Sequence, residues 1–111
     1  MSNIDNIMKL LQESHLELKL DKILKDVETE MVTNEIFMDY VDFTYEDTLR
    51  DLDLIKQVRD KMLTLTQLCT AVSDIEQEAI VNKSMDLMWR CESIKARMMN
   101  QMTLLREKYD L

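Results

Sequence analysis

The chain lacks glycine and proline altogether, and it has few of the residues on which catalytic and ligand-binding sites depend. Its 111 residues include two cysteines, one histidine and 5% aromatic residues. Dinucleotide- and phosphate-binding loops need glycines so that the backbone approaches the phosphate, and tight β-hairpins rely on Gly or Asn-Gly turns. The missing glycines exclude those loops and disfavour β structure.

Long hydrophobic runs are also missing. No uninterrupted apolar run approaches the roughly 20 residues of a membrane-spanning helix, and the first residues do not form a basic leader followed by an apolar segment. We therefore expect an intracellular, cytoplasmic protein that does not insert into a membrane. Cys69 and Cys91 form no CxxC motif, so we expect reduced core thiols; a disulfide between helices stays open.

What the sequence contains in abundance is helix-forming residues. Hydrophobic residues make up 46% of the chain, and Leu, Met, Glu, Lys and Gln favour helices. We expect one all-α domain, a helical bundle built on a long, coiled-coil-like antiparallel helical hairpin. Residues 1–44 would form N-terminal helices that pack against a hairpin of residues 45–110.

The stretch HLELKLDKIL at residues 15–24 places three leucines on alternate positions, a period typical of a β-strand. On a helix, where successive residues are about 100° apart, the same alternation marks the overlap of two stripes. One stripe consists of Ile4, Ile7, Met8, Leu11 and Leu18. The nearly opposite stripe consists of Leu16, Leu20, Ile23, Leu24, Val27 and Met31. We therefore predict helix rather than strand.

Two helix breaks are predicted in the N-terminal region. Residues 14–17 have the S-x-x-E form of a capping box, so we expect a break or a sharp bend near Glu13–His15; one continuous helix touching two surfaces is the alternative. The stripe shifts again near Thr29–Thr33, which predicts a second break. His15 lies near the seam of Leu11 and Leu18 and is expected to be partly buried and neutral.

The C-terminal region carries two heptad-like seams. The first comprises Leu54, Val58, Met62, Leu65, Leu68, Val72, Ile75 and Ala79. The second comprises Leu87, Cys91, Ile94, Met98, Met102, Leu105 and Tyr109. Ser84 suits the N-cap of the last helix, and Asn82 is the residue expected to take the left-handed conformation of the turn. The predicted helices are 3–13, 15–31, 33–43, 45–81 and 85–110.

The formal net charge of −8 is unevenly distributed. Residues 26–53 contain ten acidic residues against Arg50 alone, so this segment repels nucleic acid and anionic membranes and attracts a basic partner. We expect a docking face that includes Asp39, Tyr40, Asp42 and Asp47. The alternative is an acidic inhibitor that imitates nucleic acid and blocks a basic nucleic-acid-binding surface.

Trp89 lies on the far side of its helix from the predicted seam, and Met85 and Ala96 lie near it. Met88 and Met99 lie between the two faces. Either the N-terminal helices cover this second apolar face, which is the interpretation we favour, or it binds a partner. Trp is enriched at interface hot spots, and Met at surfaces that accept varied partners.

No arrangement of reactive residues points to catalysis. One histidine and two separated cysteines do not supply the ligands of a zinc site, and cysteines at core positions are inert. We therefore expect no catalytic residues, metal or cofactor. The sequence predicts a non-enzymatic protein-interaction module: an adaptor, complex subunit or chaperone-like binder. It leaves open a homodimer, a hetero-oligomer and an intermolecular coiled coil of residues 45–110.

Overall fold

The computed structural model describes residues 2–41 and 52–109. Over these ranges the chain forms three α-helices and no strand: α1 (Ser2–Tyr40), α2 (Leu52–Val81) and α3 (Met85–Tyr109). The helices pack side by side into a rod of 67 × 18 × 17 Å. The structure confirms the predicted all-α bundle on an antiparallel hairpin.

Both predicted breaks in the N-terminal region are wrong, because α1 continues from Ser2 to Tyr40. Ser14 is an exposed residue inside this helix rather than its N-cap, and the Thr33 hydroxyl donates to the Thr29 carbonyl (2.8 Å) within the helix. The two stripes lie on opposite sides of one helix: Leu16 and Leu20 are fully buried, whereas Leu18 is exposed. With neither Gly nor Pro, the chain offers no strong helix breaker between the stripes.

α2 and α3 form the hairpin that the two seams predict. The buried seam residues of α2 are Val58, Leu65, Val72, Ile75 and Ala79, and those of α3 are Leu87, Cys91, Ile94, Met98, Leu105 and Tyr109. Four further seam residues lie at the half-buried edges: Leu54, Met62, Leu68 and Met102. The predicted start of the first of these helices near residue 45 lies outside the described residues.

The turn between α2 and α3 differs from the prediction in one residue. Lys83, and not Asn82, takes the left-handed conformation, with φ of 57°. The Ser84 amide donates to the Ala79 carbonyl (2.8 Å) and the Lys83 amide to the Ile80 carbonyl (3.0 Å), which is the Schellman pattern. That pattern makes Asn82 the last residue of the helical turn, so the left-handed position falls on the next residue.

Charged pairs align α1 beside α3. Arg90 binds Asp21 (3.2 Å), and both terminal nitrogens of Arg97 bind Glu28 (2.7 and 3.2 Å). The two arginines are seven residues apart, as are the two acids, so the pairs repeat with the heptad period of a parallel helix pair. α1 therefore runs parallel to α3 and antiparallel to α2 along the whole hairpin.

The hairpin register separates the two cysteines. Both are buried and free, as the sequence predicts for reduced core thiols. Lys95 faces Glu76 across the hairpin, so Cys69 lies level with residues near 100 and Cys91 lies about ten residues away. Ten residues correspond to roughly 15 Å along a helix, too far for a disulfide. The disulfide that the sequence left open is therefore excluded in this fold.

Candidate interaction surfaces

An exposed apolar face lies on the outer side of α3, and we call Met85, Trp89, Ala96 and Met99 the tryptophan face. Trp89 is 63% exposed, and the other three side chains are exposed as well. Met88 is half-buried at the edge of this face. The interpretation that the N-terminal helices cover this face is wrong, because α1 is a single helix that packs on the other side of α3, through Arg90 and Arg97.

The predicted acidic docking face is described in part. Asp39 is exposed near the end of α1, and Tyr40 beside it is 85% exposed. Asp42 and Asp47 lie outside the described residues. The structure therefore places an exposed carboxylate and an exposed aromatic ring together at this end of the rod.

Part of the acidic charge on α1 is neutralised within the molecule. The hydrogen bond from Arg97 holds the pKa of the Glu28 carboxyl below its ordinary value. Asp21 is likewise paired with Arg90. These two acids join α1 to α3, which leaves Glu35 and Asp39 as the exposed carboxylates on that side of the end of α1.

A second apolar surface follows the back of α1, opposite the core. We define the α1 outer seam as the ten positions with alternating spacings of four and three: Ile4, Met8, Leu11, His15, Leu18, Lys22, Lys25, Thr29, Val32 and Ile36. All ten side chains are exposed, and Ile4 reaches 71%. Six of the ten side chains are apolar. The positions at the centre of the seam, Lys22, Lys25 and Thr29, are polar.

His15 shows how the continuous helix changes the environment of a residue. The sequence predicts a partly buried side chain because Leu11 and Leu18 lie on the same stripe, but that stripe faces away from the core and His15 is exposed. The sequence predicts this stripe, but as part of N-terminal helices that pack against the hairpin. When one stretch without Gly or Pro carries two opposite apolar stripes, a single continuous helix is favoured, and one of the two stripes is then left exposed. This pattern is the sequence signal for an exposed apolar surface such as the α1 outer seam.

The start of α1 is held against the hairpin turn by side chains. The Asn82 amide donates to the Lys9 carbonyl (3.4 Å) and to the Ser84 hydroxyl (2.9 Å), which in turn donates to the Glu13 carboxylate (3.0 Å). Ser84 precedes α3, as the predicted N-cap does, and its carbonyl accepts from the Met88 amide. These bonds hold the turn beside α1 between Lys9 and Glu13, and Met8 lines the adjacent groove with Gln77 and Val81 of α2.

Two buried polar pairs lie inside the bundle. Glu76 and Lys95 form an ion pair of 3.0 Å across the hairpin, and both side chains are mostly buried. Asn34 is fully buried; its amide donates to the Gln101 side-chain oxygen (2.9 Å), and Gln101 donates to the Met31 carbonyl (2.8 Å). These groups serve helix pairing, because they lie within the packed core between the helices.

The thiols are not arranged for nucleophilic chemistry. Burial raises the pKa of Cys91, and the negative charge of nearby Glu76 raises it further. Burial also raises the pKa of Cys69. Since the thiolate is the reactive form, both environments disfavour attack on a substrate. Among the residues that the structure describes, no three His, Cys, Asp or Glu side chains gather into a group suited to a metal ion.

Comparisons with protein-family models, curated proteins and solved structures found no match. None of the three described helices is long and apolar enough to cross a membrane.

Proposed function

We propose that this protein is a non-enzymatic interaction module, a small helical subunit, adaptor or chaperone-like binder that binds protein partners by packing helices against its surface. The observation that carries the proposal is the uncovered tryptophan face of α3. Trp89 is exposed together with Met85 and Met99, and a solvent-exposed aromatic side chain with flexible methionines is typical of a binding surface.

Burial of this face supplies part of the free energy that binding requires. Removing apolar surface from water stabilises a complex by about 25 cal/mol per Å², so burying one Trp and two Met side chains contributes several kcal/mol. The costs of association reduce this contribution. A partner helix that also contacts the exposed Asp39 and Tyr40 would add charge-dependent selectivity for a basic surface.

The alternative of a nucleic-acid mimic is supported less well. Such a mimic needs a regular row of uncompensated carboxylates, but Asp21 and Glu28 are engaged by arginines of the same molecule. Among the described acids on that side of α1, Glu17, Glu35 and Asp39 are left to act on a partner. The proposal also includes an intracellular location, which the two free, buried thiols support.

The substitution Trp89→Ala tests the proposal. In its own cells, the tagged wild-type chain is expected to migrate in a complex larger than the 13.2 kDa monomer, and the variant is expected to shift towards the free chain. Because Trp89 is exposed, we expect the free energy of unfolding of the purified variant to change by less than about 0.5 kcal/mol.

The matched control is Lys56→Ala, which removes an exposed side chain from α2 and should leave the complex intact. A free wild-type chain in the cell would contradict the proposal. So would a Trp89→Ala variant that melts many degrees lower while the complex persists, since that result would assign Trp89 to the core.

A further inference from the structure

From the shape and charge of the α1 outer seam, we infer that it is a coiled-coil docking surface for a helix of another protein, one that carries acidic residues where it crosses Lys22 and Lys25. The inference rests on the proposed binding function and adds a second surface with a defined partner chemistry. It is independent of the tryptophan face, which lies on a different helix.

The spacing of the seam residues suits a coiled coil. Alternating spacings of four and three keep a row of side chains facing one neighbour along a supercoiled helix pair. From Ile4 to Ile36 the seam is about 48 Å long at 1.5 Å per residue. Because α1 shows no break over this length, one partner helix of about nine turns can follow the whole seam.

The apolar stretch at the start of the seam is too small to form a stable complex by itself. The apolar stretch from Ile4 to Leu18 spans about 21 Å, less than half of the seam. A specific interface buries about 800 Å² on each partner, and a strip 21 Å long and about 10 Å wide falls far short of that. Extending the contact to Val32 and Ile36 more than doubles the strip, to about 480 Å² at the same width, and takes the partner over the polar centre between the two apolar stretches.

The polar centre of the seam is positively charged. Lys22 and Lys25 are exposed, and neither forms an ion pair with any residue in the described ranges. A helix laid along the seam removes water from these lysines, which is costly unless an opposite charge faces them. Asp or Glu at the crossing point satisfies this requirement and fixes the register of the partner.

The same lysines disfavour a second copy of this chain as the occupant. In a parallel homodimer Lys22 faces Lys22, which places like charges together. In an antiparallel homodimer that pairs Ile4 with Ile36, Leu18 of the second copy lies opposite Lys22. His15 of the second copy lies opposite Lys25. Neither arrangement supplies an acidic residue, so the seam selects a different chain by charge.

Two synthetic helical peptides test the inference as probes. Both carry Leu or Ile at the heptad positions that face the apolar ends of the seam; one carries Glu at the two central positions and the other carries Lys. We expect the purified wild-type chain to bind the Glu peptide at least about tenfold more tightly than the Lys peptide at low salt, with a difference that shrinks as salt is added.

The matched protein variant is Lys22→Glu with Lys25→Glu. Both residues are exposed, so the helical circular dichroism and melting temperature should stay unchanged, and the preference between the peptides should invert. Failure to bind either peptide, equal binding of both, or a preference that does not invert would overturn the inference.

The variant Trp89→Ala separates this inference from the proposed function. It should bind the Glu peptide as the wild type does, because the tryptophan face lies on α3. If Trp89→Ala disrupts the cellular complex while the wild-type chain does not discriminate between the peptides, the proposed function stands and the docking surface on α1 is refuted.

Discussion

At the scale of single residues, the hairpin turn carries a conformational cost. Lys83 has a left-handed backbone, which costs a residue with a Cβ atom about 1–2 kcal/mol. Glycine usually occupies this position of a Schellman motif, and the chain contains none. The cost is tolerated because Asn82 and Ser84 tie the turn to α1 through Lys9 and Glu13.

The substitution Lys83→Gly should therefore stabilise the fold. We expect the free energy of unfolding to rise by about 1 kcal/mol, since glycine adopts a positive φ without steric strain. Urea denaturation followed by circular dichroism measures this difference. Lys83→Ala is the control: it removes the same charge but keeps the Cβ atom, so an equal gain in Lys83→Ala would show that the backbone conformation is not the cause.

The single-residue features that the sequence predicts correctly are those that depend on near neighbours. Ser84 precedes the last helix as expected, because a cap depends on the residues that follow it. The prediction for His15 is wrong, because burial depends on which side of the helix meets the rest of the chain.

At the scale of secondary-structure elements, α1 pairs with the hairpin through a polar layer within an apolar core. Leu20, Val27 and Asn34 follow each other at seven-residue intervals and all are fully buried. Asn34 thus occupies a heptad core position, where a buried polar residue specifies register at a cost in stability. Its partner Gln101 is also buried on α3. The pair requires that α1 and α3 meet at one particular level.

Replacing one or both members of this pair tests its role. Asn34→Leu should lower the free energy of unfolding by about 1–3 kcal/mol, because Gln101 loses its buried donor. The double variant Asn34→Leu with Gln101→Leu should recover that loss or exceed the wild type, since an apolar layer replaces the polar one. Urea denaturation of the three chains compares these values.

The same double variant should lose specificity of association. With an apolar layer, α1 can pair with α3 in other registers or with other chains, so we expect additional oligomers in sedimentation velocity experiments. If the double variant is as unstable as Asn34→Leu alone, the predicted role of the Asn34–Gln101 pair is wrong. Replacing both polar residues by leucine would then bring no gain in the free energy of unfolding.

At the scale of the whole molecule, the bundle exposes more surface than its mass requires. The accessible surface is 7616 Å², whereas a compact monomer of this mass exposes about 6,400 Å². An elongated rod of 67 × 18 × 17 Å has more surface for its volume than a compact globule. A molecule of this shape is well suited to contribute helices to a larger assembly.

The solution shape of the purified chain tests this arrangement. We expect a monomer whose radius of gyration is near the 18.1 Å of the structure, compared with about 13 Å for a compact globule of the same length. Light scattering gives the mass and small-angle X-ray scattering gives the radius. A dimer mass would show that the helices pair between chains, and a radius near 13 Å would refute the rod.

Local sequence patterns are enough to predict the helical class, the seams of α2 and α3 and the position of the turn between them. These features follow from local properties: the absence of Gly and Pro, heptad spacing, and cap residues. The end of α2 at Val81 matches the prediction, and its predicted start near residue 45 lies outside the described residues.

The tertiary structure alone decided which apolar stripe of α1 lies inside. Both stripes have suitable residues at suitable spacing, and a helix with two apolar faces satisfies the local rules whichever face is buried. Contact with the hairpin buries the side of Leu16, Leu20 and Val27 completely, and Arg90 and Arg97 of α3 pair with Asp21 and Glu28 at the edge of that contact. The other stripe, with Ile4, Leu11 and Leu18, is thereby left facing the solvent.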